Sequence, residues 1–165
     1  MNLKIIAVGV EDNPTSQHRG ALKLLYDIYG DDADIKNSPS GKPYINGTDS
    51  EYKYFNISHS HNYAVCAFSD IEVGIDIEKI RPISQRIIDR CLNGCSQEDA
   101  IRNWTRRESF GKMTGNGFND VRYDKVIHTF HEYTDIEGYL ITVCAAAADV
   151  EFPKNISWYH ANEVD

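Results

Sequence analysis

Two acids stand two residues apart in the apolar run Val73-Gly74-Ile75-Asp76-Ile77-Glu78. Side chains alternate faces along a strand, so Asp76 and Glu78 share one face while Ile75 and Ile77 take the other. Neighbouring carboxylates repel unless a positive charge sits between them. A hard cation such as Mg²⁺, which favours carboxylate, water and phosphate oxygens, would meet that need. Two solvated acids on the outer face of an edge strand would meet it as well, and spacing alone leaves both readings open.

Further candidates flank the pair. Trp104, Glu108 and Lys112 recur at i, i+4 and i+8, one face of a helix. They read either as a surface ion pair beside an aromatic, or as an acid completing a carboxylate cage with a lysine on a phosphate. Arg107 points about 100° away from Glu108, toward the rim of that face. His18, Arg19 and Lys23 form a basic cluster on an earlier helix, and a solvated face explains them equally. Ser40-Gly41-Lys42-Pro43 presents one cation from a stiff turn. Asn56, Ser58, His59 and Ser60 lie between apolar runs. A serine hydrolase is disfavoured because no Gly-x-Ser-x-Gly turn occurs. His59 and His61 alone are a weak zinc signal, and a phosphate-binding cluster fits at least as well.

These residues need elements to hold them. Residues 1–10 read as a strand and 16–29 as a helix ended by Gly30. Residues 30–49 read as loop, 63–68 as a strand, and 83–92 as a short helix or loop. Ser96 caps a helix running to about Met113. Residues 121–131 and 138–146 read as an antiparallel pair with a turn at 132–137. In the tail, 151–165, only Trp158-Tyr159 suggests packing. Ala7-Val8-Gly9-Val10-Glu11 resembles Val73-Gly74-Ile75-Asp76, and each is followed by a helix and then strands. The expected fold is α+β: a pseudo-twofold pair of similar lobes, 1–70 and 71–165. Each lobe is a small antiparallel sheet packed with a long helix, with a cleft between them and the acids in the second.

The 165 residues suit one domain or two small fused lobes. A net charge of −8 argues against nucleic acid or an anionic membrane as the main partner. No apolar run approaches the ~20 residues of a membrane span, and the N-terminal run is too short for a signal peptide. Cys66, Cys91, Cys95 and Cys144 read as reduced thiols of a cytoplasmic protein, with Cys91 and Cys95 on a helix.

Four segments in order, Gly41-Lys42-Pro43, Asn56-Ile57-Ser58-His59-Ser60, Val73 to Glu78, and Trp104-Thr105-Arg106-Arg107-Glu108-Ser109-Phe110-Gly111-Lys112, resemble the signature of the 4′-phosphopantetheinyl transferases. The match is to the two-lobed, single-chain type that activates nonribosomal peptide and polyketide synthases. The homotrimeric type carries its Gly-x-Asp motif near the N-terminus, unlike the mid-chain motif here. The resemblance implies transfer of the phosphopantetheine arm of coenzyme A to a serine of an acyl or peptidyl carrier protein by a monomer. It implies Mg²⁺, with Mn²⁺ as substitute, on Asp76, Glu78 and Glu108. Catalysis would fall to Glu108 and Lys112, and coenzyme binding to Arg19, Lys42, Ser58, His59 and Lys112. A non-catalytic module binding coenzyme A or a carrier is the alternative, and a Mg²⁺-dependent phosphohydrolase ranks third. Two departures stand out: Arg107 replaces the usual lysine, and the chain is short before Gly41 and between Glu78 and Trp104.

Overall fold

The computed structural model describes residues 1–160. The elements run β1 (Leu3–Gly9), α1 (Pro14–Tyr29), β2 (Ile35–Asn37), β3 (Pro43–Ile45), β4 (Tyr54–Ser60), β5 (Tyr63–Ser69), β6 (Val73–Lys79), α2 (Gln85–Cys91), α3 (Gln97–Thr114), β7 (Thr129–Tyr133), β8 (Tyr139–Ala145) and β9 (Ser157–Trp158). Local chemistry sets the long helices. Asn13 caps α1 by accepting the Ser16 N–H, with Pro14 in the first turn, where a missing N–H costs nothing. Ser96 caps α3 by accepting the Asp99 N–H, and Gly115 ends it in the left-handed conformation.

Of three sheets among the described residues, β2-β3 is a small hairpin, and the two larger ones have the orders β4-β5-β1-β9 and β6-β8-β7. The two are built alike. β1 and β6 each precede a long helix, and each pairs antiparallel with the last long strand of its half, β5 or β8. That strand pairs in turn with β4 or β7. The α+β class and paired antiparallel sheets expected from the repeat are present.

Several boundaries differ from expectation. The strand expected over 121–131 begins only at Thr129. Asp120 accepts from the Arg122 amide and guanidinium, which winds this stretch into turns, and Val121 and Ile127 project into solvent. The loop at 30–49 contains the β2–β3 hairpin. Cys91 closes α2, whereas Cys95 lies in the link to α3; all four thiols are free. The tail returns to the other half, where β9 pairs parallel with β1. Residues 161–165 of the expected tail lie outside the described residues.

The halves share a core. Ile5, Ala7 and Val65 of the first sheet pack with Ile75, Ile77, Ile141 and Val143 of the second, and Ile156 of the tail joins them. A side-chain ladder also joins the sheets. β6 is an edge strand, and its free N–H groups at Ile75, Ile77 and Lys79 donate to Asn56 Oδ1, Ser58 Oγ and Ser60 Oγ of β4, at 2.9, 3.2 and 3.3 Å. Alternate polar residues on β4 thus satisfy donors that would otherwise be buried and unpaired.

Gly74 lets α3 cross β6 at close range. A Cβ there would overlap the Ser109 carbonyl and the Met113 amide. Both are backbone atoms of α3, so relief requires moving the helix that carries Glu108 and Lys112. Gly74→Ala is expected to destabilise the protein by about 1–3 kcal/mol, the scale of overpacking a fitted core. Urea unfolding measures this, and an unchanged midpoint would show that α3 moves freely.

Candidate active site

β6 and α3 build the site between them. Asp76 is 3% exposed and points from β6 toward α3, opposite to Ile75 and Ile77, which enter the core. Lys112 Nζ donates to Asp76 Oδ1 at 2.7 Å and to Ser58 Oγ at 2.9 Å. The Ser58 hydroxyl lies 3.3 Å from the same Asp76 oxygen. Asp76 Oδ2 is buried and has no hydrogen-bond partner among the described residues. One turn before Lys112, Glu108 faces the same acids. One turn earlier again, the Trp104 indole N–H donates to Glu78 Oε1 at 3.1 Å. The face expected from the i, i+4, i+8 spacing is therefore the one laid over β6. The edge-strand reading of Asp76 and Glu78 is right about the strand, but their face is covered by α3.

The electrostatics follow from this crowding. Burial pushes the Asp76 carboxyl up, with Lys112 and Ser58 pulling it back. Glu78 is raised by burial first and then by the Asp76 charge, and Glu108 is raised by burial, by Asp76 and by Glu78. Lys112 opposes the rise in all three. Partial burial, then Lys112 and His18, hold His59 below the ordinary imidazole value. Among the described residues, no three His, Cys, Asp or Glu side chains close into a metal cage.

A cleft of about 310 Å³ opens beside this cluster, lined by Lys42, Pro43, Asn56, Glu108, Lys112 and Gly117 among others. Gly111 lets the chain after α3 close over the helix, because a Cβ there would meet the Gly117 carbonyl. Lys42 is already engaged. Its ammonium donates to the Met113 carbonyl at 2.6 Å, near the negative end of α3, and to Glu72 at 2.7 Å. Arg19 is not brought to this cleft. It lines a separate cavity with Gly9, Ser16, Lys23, Asn62 and Tyr63. His59 is exposed on β4, on the face opposite Ser58.

The structure adds residues that spacing did not single out. Arg81 Nη1 lies 3.4 Å from Glu78 Oε2, and Glu72 pairs with Lys42. The nearness of Arg81 to Glu78 in sequence was a usable signal, whereas Glu72 and Lys42 meet only through the fold. Tyr123 receives Arg107, whose guanidinium lies 4.1 Å from the ring centroid. Arg107 thus clasps the 115–128 segment to α3 and does not line the cleft. Arg107→Lys is expected to leave kcat nearly unchanged, because a lysine still reaches the ring face. Arg107→Ala should act mainly on KM, and less so at high salt, where screening already weakens the wild-type charge. Steady-state kinetics at two ionic strengths check this, and a collapse of kcat in Arg107→Lys would place Arg107 in the chemical step.

Fold and site together define an α+β protein of two main, largely antiparallel sheets with a carboxylate–lysine cluster where an α-helix is laid over an edge strand. No family model matches the chain. Curated relatives do. The chain is 28% identical to the 4′-phosphopantetheinyl transferase Sfp of Bacillus subtilis (strain 168), over 88% of this chain and 77% of the relative. It is 31% identical to the 4′-phosphopantetheinyl transferase ffp of Bacillus subtilis, over 84% and 74%. It is 32% identical to the 4′-phosphopantetheinyl transferase gsp of Aneurinibacillus migulanus, over 70% and 60%. The chain belongs to the 4′-phosphopantetheinyl transferases, and among the described residues no helix is long and apolar enough to cross a membrane.

Proposed function

We propose that this protein moves the 4′-phosphopantetheine arm of coenzyme A onto a serine of an apo acyl or peptidyl carrier protein, giving holo-carrier and adenosine 3′,5′-bisphosphate. The observation that carries the reading is Glu108 and Lys112, one turn apart on α3, over Asp76 and Glu78 beside an open cleft. The serine oxygen would attack the β-phosphorus of coenzyme A as the bond from that phosphorus to the bridging oxygen breaks. Glu108, its carboxyl raised by burial and by neighbouring charge, would take the serine proton directly or through water. Lys112 would hold phosphate oxygens, and Lys42 would line the nucleotide end of the cleft. Ser58 and His59 would contact the coenzyme's phosphates. Arg19 would reach the 3′-phosphate from the neighbouring cavity, so dephospho-coenzyme A should bind more weakly than coenzyme A.

Asp76, Glu78 and Glu108 would hold Mg²⁺, or Mn²⁺ in its place. An orphaned buried oxygen on Asp76 and three mutually repelling carboxylates fit a hard dication. When bound, the ion would offset charge developing on the pyrophosphate oxygens. The lobes 1–70 and 71–165 would act as one cytoplasmic monomer, through the core they share.

Incubation with coenzyme A, Mg²⁺ and an apo carrier, read by intact-protein mass spectrometry, tests the assignment. Transfer adds the arm to the carrier and stops with chelator. Nucleotide release without carrier modification would mean a phosphohydrolase, and binding with neither product would mean a non-catalytic module.

A further inference from the structure

Two of the three acids of this site are paired with cations of the chain itself. Lys112 Nζ sits 2.7 Å from Asp76 Oδ1, and Ser58 anchors it from the other side at 2.9 Å. Glu78 has both oxygens engaged, one by the Trp104 indole and one by Arg81 at 3.4 Å. Among the described residues Glu108 makes no ion pair, and Asp76 Oδ2 is the one polar atom of the cluster left buried without a partner. The ammonium is paired with Asp76 alone, and among the described residues the three carboxylates do not close into a metal cage.

We propose that Lys112, assisted by Arg81, is a place-holding counter-ion. It occupies Asp76 and must leave it before a dication can draw the three carboxylates together. This rests on the metal reading above and adds an order to it. An ammonium and a dication cannot share the same few ångströms without strong repulsion, so the metal binds poorly while Lys112 keeps its seat. Phosphates entering the cleft give Lys112 another acceptor, and its departure frees Asp76 Oδ1. Coenzyme and metal then enter as a pair, because each removes what opposes the other. Such reciprocal coupling is required whenever one ligand displaces a group that blocks a second. Arg81 acts in the same sense but more weakly, since it is half-exposed and farther from its acid. Lys112 therefore has a task before the coenzyme arrives that is separate from holding its phosphates afterwards.

The test is calorimetric titration of the coenzyme-free protein with Mg²⁺ alone, repeated with Mn²⁺. Wild type should bind weakly. Lys112→Met should bind roughly tenfold more tightly or better, the effect of removing one positive charge beside the ion. Lys112→Gln, which keeps a polar group for Ser58, should do the same and serves if the methionine variant folds poorly. Lys112→Arg should stay close to wild type, and the surface change Arg81→Gln should tighten binding about threefold. Equal affinities across wild type, Lys112→Met and Lys112→Gln would overturn the place-holder, because the metal would then be using Asp76 Oδ2 with the lysine still seated. So would weaker binding in the neutral variants. No metal binding by any variant, with coenzyme A present or absent, would instead overturn the metal reading itself.

Discussion

Glu108→Gln should lower kcat by roughly a hundredfold or more at saturating substrates, the scale of losing a general base, and should make the metal-free protein more stable. The two effects have one cause. Glu108 is half-buried and is raised by burial and by the charges of Asp76 and Glu78. A carboxyl raised in the folded state binds its proton more tightly there than in the unfolded chain. Its stabilising contribution is therefore complete below the unfolded value, about pH 4, and is lost as pH rises through the folded value. Glutamine never acquires the charge. The variant and wild type should melt alike below about pH 4, and the variant should melt higher at neutral pH, with the gap opening as Glu108 ionises. Burying charge against charge for the sake of chemistry is a known trade of stability for activity. Thermal melts at several pH values with chelator, set beside steady-state kinetics, measure both. A variant that melts below wild type at neutral pH would mean that Glu108 is paired in the folded protein, and its role as a strained base would fall.

Much of this site was legible because its parts repeat within single elements. The strand period put Asp76 and Glu78 on one face, and the helix period put Trp104, Glu108 and Lys112 on another. The structure lays these two faces together, with the Lys112–Asp76 and Trp104–Glu78 contacts as the joints. Ser96 and Gly115 bound α3 nearly where expected. What escaped notice depends on residues far apart in sequence. The serines and asparagine of β4 looked like phosphate ligands, but Asn56, Ser58 and Ser60 also serve the backbone of β6, which no local pattern reveals. The family resemblance assigns both Arg19 and Lys42 to the coenzyme. The fold separates them, Arg19 to a cavity beside α1 and Lys42 to the end of α3. The late start of β7 follows from the Asp120–Arg122 turn, which overrides the apolar alternation before it.

Asp76→Ala is expected to reduce transfer by roughly a hundredfold to a thousandfold, the scale of removing one pre-organised charge-stabilising group. It should do so without unfolding the protein. Removing a buried charged partner usually costs several kcal/mol, because the other charge is stranded. Here the stranded group would be Lys112, but its side chain is 30% exposed and keeps the Ser58 hydroxyl as acceptor. Ser58 in turn keeps the Ile77 N–H. The alanine also removes an oxygen that is buried without a partner and a carboxyl that burial already pushes up. The opposing terms are of similar size, so the melting temperature should stay within a few degrees of wild type. The two readouts then separate the role of Asp76 in chemistry from any role in folding. Adding Mg²⁺ and coenzyme A together should raise the melting temperature of wild type, since a ligand that binds only the folded state stabilises it. The alanine variant should show a smaller rise, the part owed to coenzyme A alone. If Asp76→Ala instead collapses the fold, the acid is structural and its distance to Lys112 reports a core ion pair. If it folds, transfers normally and keeps the full metal-dependent rise, Asp76 is no part of the metal site, and the acid cluster on β6 would need another explanation.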